Sequence, residues 1–174
     1  MILNILLVLG GIIVLLLLIA LFMKRTHYVN RAITINAPRR EVFDYIKLLK
    51  NQDEFNKHAM AGPDRIREFK GTDGTVGYIY AWKGNKDAGE GEKEIKHIVE
   101  GERIETEIRF VKPMKATASI VMTTESLSDN QTKVNWSNAG VLNYPLNILI
   151  PMLEKNVAKD MDTSLLTLKA ILEK

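Results

Sequence analysis

The sequence predicts an α+β domain in which a curved antiparallel sheet of seven strands packs against one long C-terminal helix, with a separate apolar helix at the N-terminus. Three observations lead to this prediction. No charged residue precedes Lys24, whereas all 24 Lys and Arg and all 21 Asp and Glu lie from there onward. Apolar and polar side chains alternate in one segment before and about six segments after a short helical region, as in half-buried strands. The chain then ends in a long stretch with helical spacing.

The composition is that of one globular domain with a mild positive charge. The chain has 174 residues, a net charge of +3 and no cysteine. It therefore has no disulfide, no thiolate zinc site and no cysteine nucleophile. Basic residues are interspersed with acidic ones and form no stripe, so we expect no nucleic-acid partner.

The first element is a run from Ile5 to Met23 without a polar side chain. As a helix it is about 28 Å long, close to the ~30 Å hydrocarbon core of a bilayer. A cleaved signal peptide would have a basic start and small residues before its cleavage site, and neither occurs here. Because Lys24 and Arg25 follow at once, the positive-inside rule places the rest of the chain in the cytoplasm. We predict a single-pass anchor in the cell membrane over residues 1–25 and a cytoplasmic ligand-binding domain over residues 26–174.

A strand and two short helices open the predicted domain. Alternating side chains predict a strand from Thr26 to Asn36, and Pro38 marks the next helix because proline suits a first helical turn. A second short helix is predicted from Asn51 to His58. The first of these helices has apolar side chains at helical spacing: Val42, Phe43, Ile46 and Leu49.

Six further strands in an antiparallel meander are predicted between Ala61 and Asn143, separated by turns rich in Gly, Asn, Asp and Pro. The clearest strand runs from Arg103 to Val111, where strict alternation indicates one buried and one solvated face. From Tyr144 onward an apolar stripe predicts an amphipathic helix that needs a sheet to cover. Its members are Leu149, Leu153, Val157, Met161, Leu165, Leu168 and Leu172.

This order of elements predicts an internal hollow. A sheet of seven strands curls strongly, and a single helix is narrower than the concave face of such a sheet. We therefore expect a space between the strands and the last helix, lined by aliphatic and aromatic side chains.

Several stretches occur in an order typical of one superfamily: Ile33 to Ile46, Gly74 to Trp82, Gly89 to Ile95, Thr132 to Trp136 and the long last helix. In this order the chain from Tyr28 to Lys174 resembles the START/Bet v 1-like superfamily (SRPBCC), and within it the polyketide cyclase/dehydrase and lipid transport-like proteins. The resemblance implies a helix-grip fold around a cavity for a hydrophobic small molecule or lipid. It does not imply a reaction. Phe55 departs from the pattern, because many relatives have a tryptophan after the first helix.

The candidate ligand-binding residues are aromatic and apolar side chains of the strands and of the last helix. On the strand from Tyr78 to Trp82 both faces contain apolar residues, so the alternation leaves its inward face open. Tyr78, Tyr80 and Trp82 share one parity, and their phenols and indole would supply hydrogen bonds to a mostly apolar ligand. Ordinary core packing is the alternative interpretation. The full predicted set is Tyr78, Tyr80, Trp82, Ile108, Phe110, Trp136, Leu153, Val157 and Met161.

The sequence assigns no catalytic, cofactor-binding or metal-binding residue. His27, His58 and His97 lack metal-ligand spacing, and no phosphate-binding or nucleophile motif occurs. Alternation places Glu90, Glu92 and Glu94 on one strand face, and Arg109 shares its parity with Glu105 and Glu107. We interpret both sets as solvated outer-face charges.

Three functions remain open on the sequence alone. The favoured one is a membrane-anchored protein that binds a hydrophobic or amphipathic small molecule. The second is an enzyme resembling polyketide cyclases, which requires one of Tyr78, Tyr80, His58 or Glu94 to point into the cavity beside another polar group. The third is a protein-interaction module, such as a stress or chaperone-associated protein.

Overall fold

The computed structural model describes residues 1–60, 65–84 and 89–174, without the side chains of His58 and Ala59. Its helices are α1 (Ile2–Phe22), α2 (Arg39–Ile46), α3 (Gln52–Phe55), α4 (Lys57–Met60) and α5 (Ile150–Leu172). A 3-10 turn (Leu146–Leu149) precedes α5. The strands are β1 (Thr26–Ile35), β2 (Ile66–Lys70), β3 (Ile79–Lys83), β4 (Glu90–Val99), β5 (Arg103–Lys112), β6 (Ala116–Ser128) and β7 (Gln131–Val141).

The strands form one antiparallel sheet of seven in the order β1-β7-β6-β5-β4-β3-β2. The six later strands make a meander, and the first strand joins its last member, which confirms the predicted α+β fold. Residues 26–174 therefore have a helix-grip architecture, in which α5 packs against the concave face of the sheet.

Three predicted helix boundaries differ from the observed ones. The first short helix ends at Ile46 and does not include Leu49, because the Leu49 N–H donates to the Asp73 carboxylate (2.8 Å) and not to a helix carbonyl. The second short helix divides into α3 and α4 because Asn56 between them is extended, with φ −76° and ψ 116°. The closing helix begins at Ile150 instead of Tyr144, since a 3-10 turn comes first and a proline lies in the first turn of α5. Proline suits that position because its missing N–H would have no helical partner.

Alternation along β5 determines its two faces as predicted. Ile104, Thr106 and Ile108 are buried on the concave face. On the outer face Arg109 forms ion pairs with Glu92 (2.7 Å), Glu94 (2.8 Å) and Glu107. The outer-face interpretation of these charges is confirmed.

The core fills the concave face between α2, α3 and the second half of α5. Phe55 of α3 meets Trp136 of β7 edge to face, with ring centroids 6.2 Å apart and planes at 78°. Burying an aromatic side chain of this size removes about 150–250 Å² from water. From α5 the core takes Met161, Leu165 and Leu168.

The N-terminal helix is the one described helix long and apolar enough to cross a membrane. It projects away from the domain, and Ala20 is its single buried residue. The Asn147 side chain donates hydrogen bonds to the Ala20 carbonyl (2.7 Å) and the Met23 carbonyl (3.1 Å). Since the last carbonyls of a helix lack internal partners, Asn147 caps α1 and attaches it to the domain.

Candidate functional site

The concave face of the sheet is tightly closed at one end and looser at the other. At the closed end, Ile95, Ile104 and Met122 are no more than 1% exposed. Further along β5, in the direction in which β1 begins, Ile108 is 9% exposed and Phe110 is 38% exposed. We call this second region the open end. The gradient runs along a single strand face, so it reflects how closely the covering elements approach the sheet.

Strand register defines the residues that line the open end. One row of cross-strand neighbours on the concave face is Tyr80, Lys93, Ile108, Ala118, Gly140 and His27. The next row towards the open edge is Trp82, Gly91, Phe110 and Ala116. Four of these ten positions are Gly or Ala, so their own side chains take up little of the space above the sheet.

Two rings lie directly against the glycines of these rows. A Cβ atom added at Gly91 would lie 2.7 Å from the Trp82 ring, and one added at Gly140 would lie 2.5 Å from the His27 ring. Trp82 in turn meets Phe110 edge to face at 6.0 Å. The open end is thus lined by flat aromatic surface and small side chains, a combination suited to an apolar ligand.

The covering helix shows the same division. In the second half of α5, Met161, Leu165 and Leu168 are buried, whereas Leu153 and Val157 in the first half are only partly buried. The helix makes most of its sheet contacts with β1 at the sheet edge. Its first half, in which Ile150 and Ala158 are buried, leaves only the ends of the inner faces of β5 and β6 incompletely covered, at Phe110 and Ala116.

The structure separates the predicted lining residues into two groups. Six lie around the open end, where Tyr80 and Ile108 are themselves buried members of the core. The other four are more exposed: Trp82 and Phe110 on the sheet, and Leu153 and Val157 on α5. Trp136 and Met161 are buried in the closed core. Tyr78 is also buried there and lies just before β3, following Gly77 with its positive φ of 85°. All nine remain predicted ligand contacts.

A partly buried polar cluster adjoins the open end and was missed by the sequence analysis. The Tyr80 hydroxyl donates to the Asp53 carboxylate (2.7 Å), which also accepts from Arg65 (2.7 Å) and Arg67 (2.9 Å). Burial, together with the Asp53 hydrogen bond, raises the pKa of Tyr80 to about 12. This phenol therefore remains protonated at neutral pH.

Lys93 is the second polar element of this region. Its ammonium is buried and donates to the Gln52 carboxamide oxygen at 2.5 Å. Burial lowers the pKa of Lys93 to about 8, with Arg65 adding to the effect and Asp53 opposing it. Parity could have found this residue, because strand alternation that directs Glu92 and Glu94 outward directs Lys93 inward.

The other polar candidates do not meet here. Glu94 lies on the outer face with Arg109, and the side chain of His58 lies outside the described residues. Within residues 1–60, 65–84 and 89–174, no three His, Cys, Asp or Glu side chains are grouped to hold a metal ion.

Two surface depressions of about 490 and 480 Å³ lie at the far end of the domain, away from the open end. Their walls come from residues 36–47, the turns near Glu100 and Asn130, and the end of α5. Both are open to solvent. Neither lies between the sheet and the first half of α5.

No protein-family model matches the chain, and no curated protein matches it in sequence. Solved structures do share its fold. Norcoclaurine synthase from Thalictrum flavum superposes with a TM-score of 0.64 at 12% identity, covering 86% of this chain and 95% of that one. Ara h 8.0201 superposes with a TM-score of 0.61 at 15% identity, covering 84% and 97%. Aha1 from Colwellia psychrerythraea has a TM-score of 0.55 at 14% identity, covering 84% and 96%.

Proposed function

We propose that this helix-grip chain is a membrane-anchored binding protein for a hydrophobic or amphipathic, lipid-like small molecule. The ligand is held between the open end of the sheet and the first half of α5. The observation that carries the proposal is the loosening of the concave face from Ile104 to Phe110, under a helix whose Leu153 and Val157 are only partly buried. α1 is the anchor, and Lys24 and Arg25 support a cytoplasmic position for the domain.

Apolar burial supplies the affinity in this proposal. Each Å² of apolar surface removed from water contributes about 25 cal/mol before ordering costs are subtracted. Trp82 and Phe110 offer flat apolar surface, and Ala116 and Ala118 leave the space for a chain or ring. Lys93 offers a buried donor at the inner limit of this space, which favours a ligand with one polar end.

An enzyme resembling polyketide cyclases is the second candidate, and one observation favours it. The Tyr80 hydroxyl points inward beside Asp53 and Arg65, which is the juxtaposition that this function requires. Yet Asp53 holds that hydroxyl, and its raised pKa makes it a weak acid at neutral pH. Binding without reaction is therefore our first proposal.

Photo-crosslinking of the full chain in lipid nanodiscs tests the proposal. The probe is a sixteen-carbon fatty acid with a diazirine group, and the labelled peptides are identified by mass spectrometry. We expect labelling of peptides that contain Phe110, Leu153 or Val157. Labelling confined to α1 would contradict the binding proposal, and conversion of the probe to a product of altered mass in the dark, before irradiation, would favour an enzyme.

A pair of matched variants sharpens this experiment. Ala118→Phe places a ring on the concave face, whereas Ser119→Phe places the same ring on the outer face of the same strand. We expect crosslinking to fall at least about tenfold in the first variant and to persist in the second, since a filled space excludes the probe. Circular dichroism checks that both variants are folded. Equal labelling of two folded variants would show that the ligand does not occupy this space.

A further inference from the structure

The open end of the domain lies on the same side as the end of α1. Thr26, the first residue of β1, pairs with Val141, and the Leu142 N–H donates to the Arg25 carbonyl at 2.8 Å. Across the sheet, the row of Ala116 and Phe110 lies level with Arg25 or slightly beyond it. Since β5 is three strands from β1, the β5–β6 connection lies about 14 Å to the side of the chain leaving α1.

Several contacts hold the domain in this orientation. Asn147, which is fully buried, binds the last carbonyls of α1. Glu154 of α5 accepts hydrogen bonds from the Lys24 ammonium (2.7 Å) and the Tyr28 backbone N–H (3.2 Å). The end of α1, the 3-10 turn and the start of α5 therefore form one connected unit.

Large apolar side chains are exposed around this end. Five of them, 39% to 58% exposed, define what we call the rim: Val111, Met114, Leu146, Leu149 and Met152. Val111 lies near the end of β5 and Met114 lies in the β5–β6 connection, and the other three come from the 3-10 turn and the start of α5. Single exposed apolar residues are common on soluble proteins, but a group around one opening indicates an interaction surface.

Positive charge accompanies the rim. Arg25 and Lys115 form no ion pair within the described part of the chain, while Lys24 and Lys112 are paired with Glu154 and Glu90. Unpaired cations beside exposed apolar side chains suit an interface with anionic head groups, where each basic residue contributes about 1 kcal/mol.

We propose that the rim contacts the surface of the bilayer that α1 spans, through an anionic leaflet, so that the open end of the domain faces the membrane. This inference rests on the anchoring role proposed for α1. The continuity of the rim with α1 through Asn147 identifies the occupant of this surface as the bilayer. An amphipathic ligand then passes between the bilayer and the hollow without crossing bulk water.

The absence of native cysteine permits a direct test with single spin labels on the full chain in nanodiscs. Labels are placed at Met114→Cys and Leu149→Cys on the rim, with Asp129→Cys at the opposite end of the sheet as the matched control. We expect several-fold higher collision rates with oxygen at both rim sites than at residue 129, and several-fold lower rates with a nickel chelate. Rim sites as accessible to the chelate as residue 129 would overturn the proposal.

A fourth label, Leu15→Cys, distinguishes this inference from the function on which it rests. If that label is in contact with oxygen and protected from the chelate while the rim is not, α1 spans the bilayer and the rim proposal alone fails. If residue 15 is itself exposed to the chelate, both proposals fail.

A separate variant, Lys115→Gln, tests the contribution of positive charge to the contact with the bilayer. Phosphatidylglycerol in the disc should increase protection of the Met114→Cys label, and Lys115→Gln should reduce that increase. An increase unchanged by Lys115→Gln would remove this lysine from the interface.

Discussion

Lys93 should make the stability of the domain depend on pH in a specific direction. Burial lowers its pKa from 10.5 to about 8 in the folded protein. The unfolded chain therefore binds the proton more tightly than the folded one. The resulting penalty is fully present below pH 8 and disappears as the pH rises towards 10.5.

The magnitude follows from the two pKa values. Their difference corresponds to about 3 kcal/mol at ~1.36 kcal/mol per pH unit. For a single group with these values, about 2–3 kcal/mol of the penalty is relieved between roughly pH 7 and pH 10. The free energy of unfolding of the natural chain, relative to that of Lys93→Met, should rise by this amount over that range. The hydrogen bond lost at Gln52 adds an offset that does not vary with pH.

Urea unfolding of the full chain in detergent, followed by the fluorescence of Trp82 and Trp136, measures this difference. Lys96→Met is the control, because Lys96 is exposed on the same strand and pairs with Glu94. The reasoning would be refuted if the difference in free energy of unfolding between the natural chain and Lys93→Met changed by less than about 0.5 kcal/mol between roughly pH 7 and pH 10. Such a result would mean that Lys93 is hydrated in the folded protein.

Two further predictions concern the sheet. Gly140→Ala places a Cβ atom 2.5 Å from the His27 ring and 2.9 Å from the Thr117 carbonyl oxygen. We therefore expect the free energy of unfolding in urea to fall by about 1–3 kcal/mol. An unchanged unfolding midpoint would show that the His27 ring moves freely. Arg109→Gln removes the partner of three outer-face glutamates. Because these groups are partly solvated, we expect the free energy of unfolding to fall by only about 1 kcal/mol, and by less at high salt concentration. Since the hydrogen bond from Arg109 lowers the pKa of Glu94, this loss should fade as the pH falls below 4.5; a loss that persists at high salt and low pH would indicate a packing role instead.

The sequence by itself determined the element types and the faces they bury. Period-2 alternation, helical spacing and the uncharged first segment depend on neighbouring residues, and these local patterns predicted seven strands, a closing helix and an apolar N-terminal helix. The same parity placed Ile108 on the concave face and Arg109 on the outer face. It gave Tyr80 and Trp82 a shared face but left open which face of that strand is inward.

The tertiary structure alone decided where the concave face opens and which polar groups meet there. The open end depends on α5 lying along β1 at the sheet edge, and helix placement is set by packing against distant strands. Lys93 meets Gln52, and Asp53 meets Tyr80, because α3 folds over β3 and β4 across large separations in sequence. Asn147 binds the end of α1 for the same reason. Such pairings arise when elements pack together, so no local pattern in the chain encodes them.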